Sequence, residues 1–400
     1  MSDYKQGIKF LLSLETQGIK MGLNRTKQLL TVCNNPEKNL KSVQIIGTNG
    51  KGSTAASLSS ILEQKKLKIG LYTSPHLVTL NERIQINREN ISNQYINRFI
   101  SQYHQDILAL SCTFFEVMTV VALQYFNDNN VDIALLETGL GGQFDSVTAC
   151  KPSLQLFTSI SKDHMHILGN SLEEIATEKA LAIQPGVPCI SVDQKPSVKK
   201  ILNHFASINN TCINYNSSYK NLNDITLLGD HQKHNVGLAI SAANNLIDIN
   251  QKHILAGIKN IYWPGRNQII HENPTVIFDV AHNEESLIKF LNTIKSIQIK
   301  GQKVLLISIQ KSKKINKIIN KMTTYFDYIV CTQLNDRMYN AEELLYMFSN
   351  GNSNVKSSDE PSQIINKLMK TLDEDDILAI IGSHYWGPHI EKSFKNLFAS

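Results

Sequence analysis

The segment Ile45–Thr54, which reads IIGTNGKGST, decides how the rest of the chain is interpreted. An apolar, β-branched run from Val43 to Ile46 stops at a glycine, and a run of Ala, Ser and Leu typical of a helix follows. Glycines between a strand and a helix let backbone N–H groups turn toward phosphate oxygens, and the helix dipole and the Lys51 ammonium favour an anion there. The segment therefore predicts a phosphate-binding loop whose ligand is a nucleoside triphosphate.

The spacing of the glycines and the lysine in this loop is unusual. The general phosphate-binding loop has four residues between its first glycine and the Gly-Lys pair, and Ser or Thr directly after the lysine. Here only Thr48 and Asn49 intervene, and a glycine separates Lys51 from Ser53. The predicted nucleotide-binding residues of the loop are Gly47, Thr48, Asn49, Gly50, Lys51, Gly52, Ser53 and Thr54.

Length, charge and cysteine content limit the class of protein. The chain has 400 residues, which suits two domains, and its net charge of +5 suits an anionic substrate without requiring nucleic acid. No apolar run reaches the ~18 residues that span a bilayer, and the first residues lack a signal-peptide pattern. The six cysteines are scattered and form no C-x-x-C pair. We therefore expect a soluble, cytoplasmic protein without zinc or disulfides and with neither nucleic acid nor a membrane as partner. The lysine-rich run Lys311–Lys314 is expected to be a solvated loop.

Short apolar strands alternate with amphipathic helices along the chain, which predicts mainly parallel sheets covered by helices. Pro and Gly interrupt this pattern near Trp263–Arg266. We therefore predict an α/β fold: a P-loop-containing, mainly parallel sheet domain over residues 1–262, which binds ATP, and a smaller, Rossmann-like C-terminal α/β domain over residues 263–400. The predicted strands are Val43–Ile46, Lys68–Tyr72, Asp132–Glu137, Ser153–Ile160, Pro188–Val192, Thr275–Val280, Lys303–Ile309, Tyr328–Thr332 and Asp376–Ile381.

Polar residues follow several predicted strands, where open α/β sheets bind their ligands. Glu137 opens the glycine-rich turn ETGLGGQFD and could hold Mg²⁺ beside bound phosphates; a glycine turn with a capping acid is the alternative. His164 is a candidate ligand or general base, although a lone histidine is more often a polar surface residue. Arg266 and Asp279 offer a guanidinium for phosphate and a carboxylate for ribose hydroxyls. Ser74, within TSPHL, indicates by itself only a turn.

Taken together, these motifs resemble the folylpolyglutamate synthase/dihydrofolate synthase family of the Mur ligase superfamily, over nearly the whole chain. The matching elements, in chain order, are GTNGKGS, TSPHL with ERI after it, ETGLGG, S-x-D-H, the EKA helix, GDHQ-x-x-N, WPGR and D-x-AHN. The resemblance implies an ATP-dependent ligase that joins L-glutamate to the carboxylate of dihydropteroate or of a (tetrahydro)folate through an acyl phosphate. It implies a bifunctional enzyme of folate biosynthesis, and the family's usual monomer is the expected state.

The resemblance also assigns roles to residues. Lys51 and its neighbouring amides would bind the β- and γ-phosphates, and Lys51, His164 and Lys179 would be the catalytic residues. Lys179, which by itself reads as a solvated helix residue, matches a lysine that CO₂ carboxylates in the family, and its carbamate would hold a second metal ion. The implied cofactors are ATP and Mg²⁺, with a monovalent cation as a further candidate. The implied metal ligands are Ser74, Glu137, His164 and Lys179. The implied nucleotide-site and interdomain-site residues beyond the loop are Asn235, Arg266, Asp279 and His282.

The chain departs from the family pattern at three places. Gln143 stands where the family has Arg, Val280 and Glu284 replace the Gly and Pro of DGAHNP, and Ser308–Lys313 replaces an acidic A-D-K-D segment. These differences concern recognition of glutamate and acceptor more than ATP binding. Two alternatives stay open: a Mur-type ligase acting on another carboxylate, such as a peptidoglycan precursor, and a nucleotide-binding relative without ligase activity. The glycine after Lys51 argues against the first, since Mur ligases typically have Thr or Ser there.

Overall fold

The computed structural model describes residues 6–18, 20–216, 218–221, 224–349, 354–395 and 397–398. Within these ranges two sheets, both covered by helices, organise the chain. The strands are β1 Ser42–Ile46, β2 Ile69–Tyr72, β3 Ile84–Ile86, β4 Glu89–Asn90, β5 Ile133–Glu137, β6 Leu154–Phe157, β7 Cys189–Ser191, β8 Ile213–Tyr215, β9 Gln268–His271, β10 Thr275–Asp279, β11 Lys303–Ile307, β12 Tyr328–Thr332, β13 Val355–Ser358 and β14 Ile377–Ile381. The α-helices are α1 Gln6–Ser13, α2 Asn24–Val32, α3 Lys51–Glu63, α4 Asn93–Ala109, α5 Phe114–Asp128, α6 Met165–Leu168, α7 Leu172–Ala180, α8 Pro196–Ile208, α9 Gln232–Leu246, α10 Gln251–Lys259, α11 Glu284–Lys295, α12 Asn316–Tyr325, α13 Ala341–Ser349, α14 Pro361–Met369 and α15 Gly387–Phe394.

The first sheet has the strand order β4-β3-β2-β5-β1-β6-β7-β8. Its strands run parallel except for β3 and β4, which form an antiparallel extension at one edge. Alternate residues of the central strands enter different apolar clusters: Val43 and Ile45 pack with α3 and α9, whereas Leu136 packs with α5. Because both faces are covered, the central strands are buried along their length and mostly apolar.

Helix α3 fixes the phosphate-binding segment to the first sheet. The helix begins at Lys51, and its residues from Gly52 to Leu62 are buried. Small residues let a neighbouring helix approach closely: a Cβ on Gly257 of α10 would lie 2.5 Å from the Cα of Ile61. The Ser60 hydroxyl donates to the Gly257 carbonyl at 2.7 Å, so that buried polar group is satisfied. The loop before α3 is therefore held by a rigid element.

The second sheet has the strand order β13-β12-β11-β14-β10-β9, and its strands are parallel except for β9, which is antiparallel to β10. Apolar clusters cover both of its faces, one with α11, α12 and α13 and the other with α14 and α15. The strand β10 ends at Asp279, next to the edge where β11 and β14 also end.

The α/β class with two mainly parallel sheets is confirmed. Each predicted strand is present, with ends that differ by at most three residues. The sequence did not predict β3, β4, β8, β9 and β13, which are two to four residues long and lie at or beside sheet edges. Such short strands carry too few residues for an apolar or alternating pattern. Across the described ranges, no helix combines the length and apolarity needed to cross a bilayer.

Candidate active site

The predicted phosphate loop connects β1 to α3. The backbone N–H groups of Thr48 and Asn49 both donate to the Ser159 carbonyl, at 2.9 and 3.2 Å, which joins this loop to the segment after β6. The Lys51 Nζ atom donates to the Thr48 carbonyl at 3.3 Å. No side chain caps the first turn of α3, so its N–H groups are available to an anion.

Two glycines of the loop are required by close packing. Gly50 has φ of 91°, in the left-handed region, and a Cβ there would collide with the side chain of Asn235. A Cβ on Gly52 would lie 2.8 Å from the ring of Trp263. Asn235 is itself held by Gln232, whose side-chain oxygen accepts from the Asn235 Nδ2 atom at 2.8 Å. The loop therefore lies directly against α9 and the segment between the two sheets.

Residues at the ends of two adjacent strands, Glu137 and Ser74, lie beside the loop. Glu137, the last residue of β5, is 4% exposed, and its Oε1 atom lies 3.9 Å from Lys51 Nζ. Its Oε2 atom accepts from the backbone N–H of Ser74, just after β2, at 3.1 Å. Burial raises the pKa of Glu137, and Lys51 and the Ser74 amide oppose that shift. Glu137 and Ser74 thus lie together beside Lys51 of the predicted phosphate loop.

Lys179, on α7, is buried behind the same loop. Its Nζ atom donates to the Gly47 carbonyl at 2.8 Å and to the Gly141 carbonyl at 3.3 Å. Burial, and next the charge of Lys51, lower the pKa of Lys179 to about 7. The interpretation of Lys179 as a solvated residue is therefore wrong: its amine faces the loop and is partly neutral at neutral pH.

A cluster around Asp163 joins the first sheet to the second. The Asp163 Oδ1 atom lies 2.5 Å from Lys313 Nζ, and its Oδ2 atom accepts from Asn283 Nδ2 at 2.9 Å and lies 3.5 Å from His282 Nε2. Burial would raise the pKa of Asp163, but His282, Lys313 and His164 hold it well below its usual range. Asp163 follows β6, and its partners follow β10 and β11, so one carboxylate holds together groups from both sheets.

His164 lies beside this cluster, with its Nε2 atom 3.3 Å from Lys313 Nζ. Burial and the nearby cations, of which Lys313 acts most strongly, lower the pKa of His164 to about 3 in spite of Asp163. The imidazole is therefore neutral at neutral pH, and a neutral imidazole is the form that binds a metal ion.

Asp279 and Arg266 lie across the cleft from the loop. The Asp279 oxygens accept from the backbone N–H groups of Asn267 and Ala281, both at 2.6 Å. Burial raises the pKa of Asp279, and Arg266 opposes that shift. The Arg266 Nη1 atom donates to the Gly265 carbonyl at 3.0 Å, so the guanidinium keeps other donors for a ligand.

A cavity of about 490 Å³ contains most of the predicted site residues. The structure does not bring Thr54 into it, because that residue is completely buried in α3 and its N–H already donates to the Gly50 carbonyl at 2.9 Å. Gln143 does not line this cavity either. The predicted residues that do line it are Gly47, Thr48, Asn49, Gly50, Lys51, Gly52, Ser53, Ser74, Glu137, His164, Lys179, Asn235, Arg266, Asp279 and His282.

A second cavity, of about 710 Å³, adjoins the first. Its apolar walls include Phe114, Phe115 and Phe144, and its charged lining includes Arg83 and Arg337. The residues that line both cavities are Ser74, Pro75, Gly139, Leu140, His164, His282 and His384. A ligand in one cavity can therefore meet a ligand in the other beside the predicted metal-site residues.

Sequence reasoning missed Asp163 and Lys313 as site residues. Asp163 directly precedes His164 in the S-x-D-H motif, which was a usable signal. Lys313 belongs to the run expected to be a solvated loop, and for this residue the expectation is wrong, because its side chain is 4% exposed and paired with Asp163. No local pattern reveals that pair, since the two residues are 150 positions apart.

The fold and this cleft are those of a ligase of the Mur class, which uses ATP: residues 45–262 match the Mur ligase middle domain, and residues 265–384 match the Mur ligase, glutamate ligase domain. The dihydrofolate synthase/folylpolyglutamate synthase of Bacillus subtilis is 33% identical, over 94% of this chain and 96% of its own length. That of Buchnera aphidicola is 32% identical, over 84% of this chain and 82% of its own. The Escherichia coli FolC structure in complex with DHPP and ADP is 26% identical, with a TM-score of 0.87 and 97% of each chain covered. This chain therefore belongs to the dihydrofolate synthase/folylpolyglutamate synthase family, which confirms the resemblance seen in its motifs.

Proposed function

We propose that this protein joins L-glutamate to dihydropteroate and to reduced folate, with ATP as the energy source. The observation that carries the proposal is the junction of two cavities: one surrounds the phosphate loop, the other has aromatic walls, and they meet at Ser74 and His164. A flat aromatic carboxylic acid in the second cavity would present its carboxylate to the γ-phosphate of ATP in the first. A family whose curated members carry both synthase names supports the same assignment.

The proposed reaction has two steps. A carboxylate oxygen of the acceptor attacks the γ-phosphorus, the bond to the bridging oxygen breaks, and ADP leaves. The glutamate amine then attacks the carbonyl carbon of the acyl phosphate, loses a proton, and displaces phosphate to form the amide. Transfer of a phosphoryl group mainly requires positioning and charge stabilisation. Lys51, the amides at the start of α3 and Arg266 supply these for the phosphates.

Mg²⁺ fits the donors beside the loop. No three His, Cys, Asp or Glu side chains converge as ligands within the described ranges, but Mg²⁺ commonly takes few protein ligands and completes its shell with phosphate oxygens and water. Ser74, Glu137 and His164 would hold it, and the ion would neutralise charge on the phosphates. Burial lowers the pKa of Lys179 to about 7, so a part of its amine is neutral at neutral pH and fits carboxylation by CO₂; the carbamate would add an anion for a second metal or a monovalent cation.

Glutamate would bind on the side of the second cavity that the C-terminal sheet supplies. Arg337 lines this cavity and offers its guanidinium to a carboxylate of glutamate, whereas Lys313, which also lines it, is already paired with Asp163. The Arg337 Nη1 atom donates to the Tyr385 hydroxyl at 2.8 Å, which orients the guanidinium without neutralising it. The cluster around Asp163 would hold the two sheets together while the acyl phosphate, which water hydrolyses, is present.

The domain boundary, the compartment and the oligomeric state are also proposed here. We place the domain boundary at residues 262 and 263, between β8 and β9. A location in the cytoplasm is consistent with the unpaired state of all six cysteines, since a reducing compartment keeps thiols free. We propose a monomer, as the family resemblance implies. Of the alternatives, a ligase for another carboxylate would not require the three phenylalanines of the second cavity. An inactive relative would not require a buried lysine amine beside the phosphate loop.

Product analysis tests the proposal. The protein is incubated with ATP, Mg²⁺ and glutamate together with either 7,8-dihydropteroate or tetrahydrofolate, and products are identified by mass. We expect a mass increase of one glutamyl residue with each acceptor, together with ADP and phosphate. Lys51→Ala should reduce turnover at least ~100-fold through the loss of charge on the γ-phosphate. The exposed Lys65→Ala is the control. Failure of both acceptors, while ATP still binds, would refute the assigned function.

A further inference from the structure

Arg83 is buried, and within the described part of the chain no carboxylate forms an ion pair with it. The residue is 8% exposed, at the end of a 3₁₀ turn, Leu80–Arg83. Among the described residues, no carboxylate oxygen lies within 4.0 Å of its guanidinium. A buried charge without a counter-ion is costly, so proteins normally pair it or use it.

The neighbours of Arg83 orient its guanidinium, and the charges of Glu15 and Glu137 reach it only from beyond ion-pairing distance. The Nε atom donates to His76 Nδ1 at 2.9 Å. Because the Nε atom of Arg83 is a donor, His76 Nδ1 must accept this bond and carries no proton, and the imidazole adds no negative charge. The Phe114 ring lies 5.1 Å from the guanidinium carbon, which adds a cation–π contact. Among the described residues, the Nε donor is the one that a side chain occupies, and the two terminal nitrogens can form a planar pair of donors to a ligand.

The second cavity is the space that these free donors face. Arg83 lines it together with Phe114, Phe115 and Phe144. The backbone of Arg83 lies next to that of Thr73, because the Arg83 carbonyl accepts from the Thr73 N–H at 2.9 Å. The residue after Thr73 is Ser74, which lines both cavities. A carboxylate held by Arg83 would therefore lie near the position of the γ-phosphate.

We propose that Arg83 binds the acceptor carboxylate that ATP phosphorylates. This inference rests on the proposed function and adds to it the residue that selects an acid over a neutral compound. The planar guanidinium matches the two carboxylate oxygens. When one of these oxygens attacks the γ-phosphorus and ADP leaves, the second becomes the carbonyl oxygen of the acyl phosphate and keeps its bond to Arg83. Arg83 gains and loses no proton. Dihydropteroate has a single carboxylate, so the oxygens that Arg83 binds are the reacting ones.

The test compares an acid with its neutral analogue. Affinities for 7,8-dihydropteroate and for its carboxamide, in which –CONH₂ replaces –COO⁻, are measured by calorimetry in the presence of ADP. We expect the native enzyme to prefer the acid by about 10- to 100-fold, the range of a charge-assisted hydrogen-bonded pair. Arg83→Gln should reduce this preference to near one while leaving ADP affinity unchanged. Arg83→Lys, which keeps the charge but loses the planar pair of donors, should keep part of the preference for the acid.

Arg98→Gln is the matched control. Arg98 is a second guanidinium of the same domain, but it is exposed, lines neither cavity, and its Nη2 atom lies 3.9 Å from Asp128 Oδ2. This variant should keep the full preference for the acid. If the native enzyme binds the acid and the carboxamide equally, or if Arg83→Gln keeps the native preference, the inference is overturned. The comparison of the acid with the carboxamide uses the native enzyme, so it does not depend on the folding of any variant. Absence of any product with the native enzyme would instead refute the proposed function, so the two failures are distinguishable.

Discussion

The buried amine of Lys179 leads to a quantitative prediction about stability. Its pKa is lowered to about 7 by burial and next by Lys51, whereas the ordinary value of 10.5 applies to the unfolded chain. Between these two pH values the unfolded chain binds one proton more than the folded protein does. The free energy of unfolding should therefore rise with pH across this window, and the contribution of Lys179 should be constant below pH 7.

The magnitude follows from the two pKa values. Each unit of difference in pKa corresponds to about 1.4 kcal/mol, so the drop from 10.5 to about 7 corresponds to about 5 kcal/mol over the whole window. Lys179→Met removes the titrating group and keeps a side chain of similar length. Relative to this variant, the native protein should gain about 2 to 3 kcal/mol in unfolding free energy between pH 7 and pH 9.

Urea unfolding at several pH values measures this difference, in buffers purged of CO₂ so that no carbamate forms. Lys162→Met, at an exposed lysine, is the control and should show no such trend relative to the native protein. Parallel pH profiles for native protein and Lys179→Met would refute the reasoning, because they would show an amine with an ordinary pKa. Added bicarbonate should stabilise the native protein and leave Lys179→Met unchanged, because only a neutral amine reacts with CO₂.

Three further predictions concern other parts of the site and the fold. Gly50→Ala should destabilise the protein more than Gly186→Ala, because both positions have positive φ but only the Cβ at Gly50 would collide with a side chain. The two variants should differ by at least ~1 kcal/mol in the free energy of unfolding, measured with urea. Equal losses of stability would contradict the close packing at Gly50. Lys313→Met should lower the free energy of unfolding by about 3 kcal/mol, because it leaves the Asp163 carboxylate buried without its cation. The control is Lys314→Met, at an exposed lysine. If Lys313→Met lost no more stability than the control, the ion pair would not be formed. Ellman's reagent should titrate one thiol in the native protein and six after unfolding, because only Cys212 is exposed; several fast-reacting thiols in the native protein would contradict the packing.

Much of the site could be predicted because its residues stand at strand ends. The apolar runs before Gly47 and Glu137 are local signals, and the carboxyl ends of parallel strands meet at one edge of a sheet. The turn at Gly50 could be predicted as well, because a glycine before a lysine at the start of a helix is a local feature of the sequence. These parts require no knowledge of distant contacts.

The rest depends on contacts that no local pattern records. Lys313 is buried because Asp163, 150 residues away in the chain, comes to lie beside it when the two sheets meet. Lys179 looks like an ordinary helix lysine until α7 packs behind the phosphate loop and its amine reaches the Gly47 carbonyl. Arg83 was visible as part of the ERI motif, but its lack of a carboxylate partner is a property of the folded protein.

The most direct test of the account follows an oxygen atom. Dihydropteroate labelled with ¹⁸O in its carboxylate is incubated with the native enzyme, ATP, Mg²⁺ and glutamate, and both the phosphate and the folate product are analysed by mass. With both carboxylate oxygens labelled, we predict one ¹⁸O atom in each phosphate released and one ¹⁸O atom in the glutamylated product, because the carboxylate oxygen that attacks the γ-phosphorus leaves with it and the other becomes the amide oxygen. Unlabelled phosphate, or an unchanged acceptor, would contradict the proposal that this protein activates an acceptor carboxylate and joins it to glutamate.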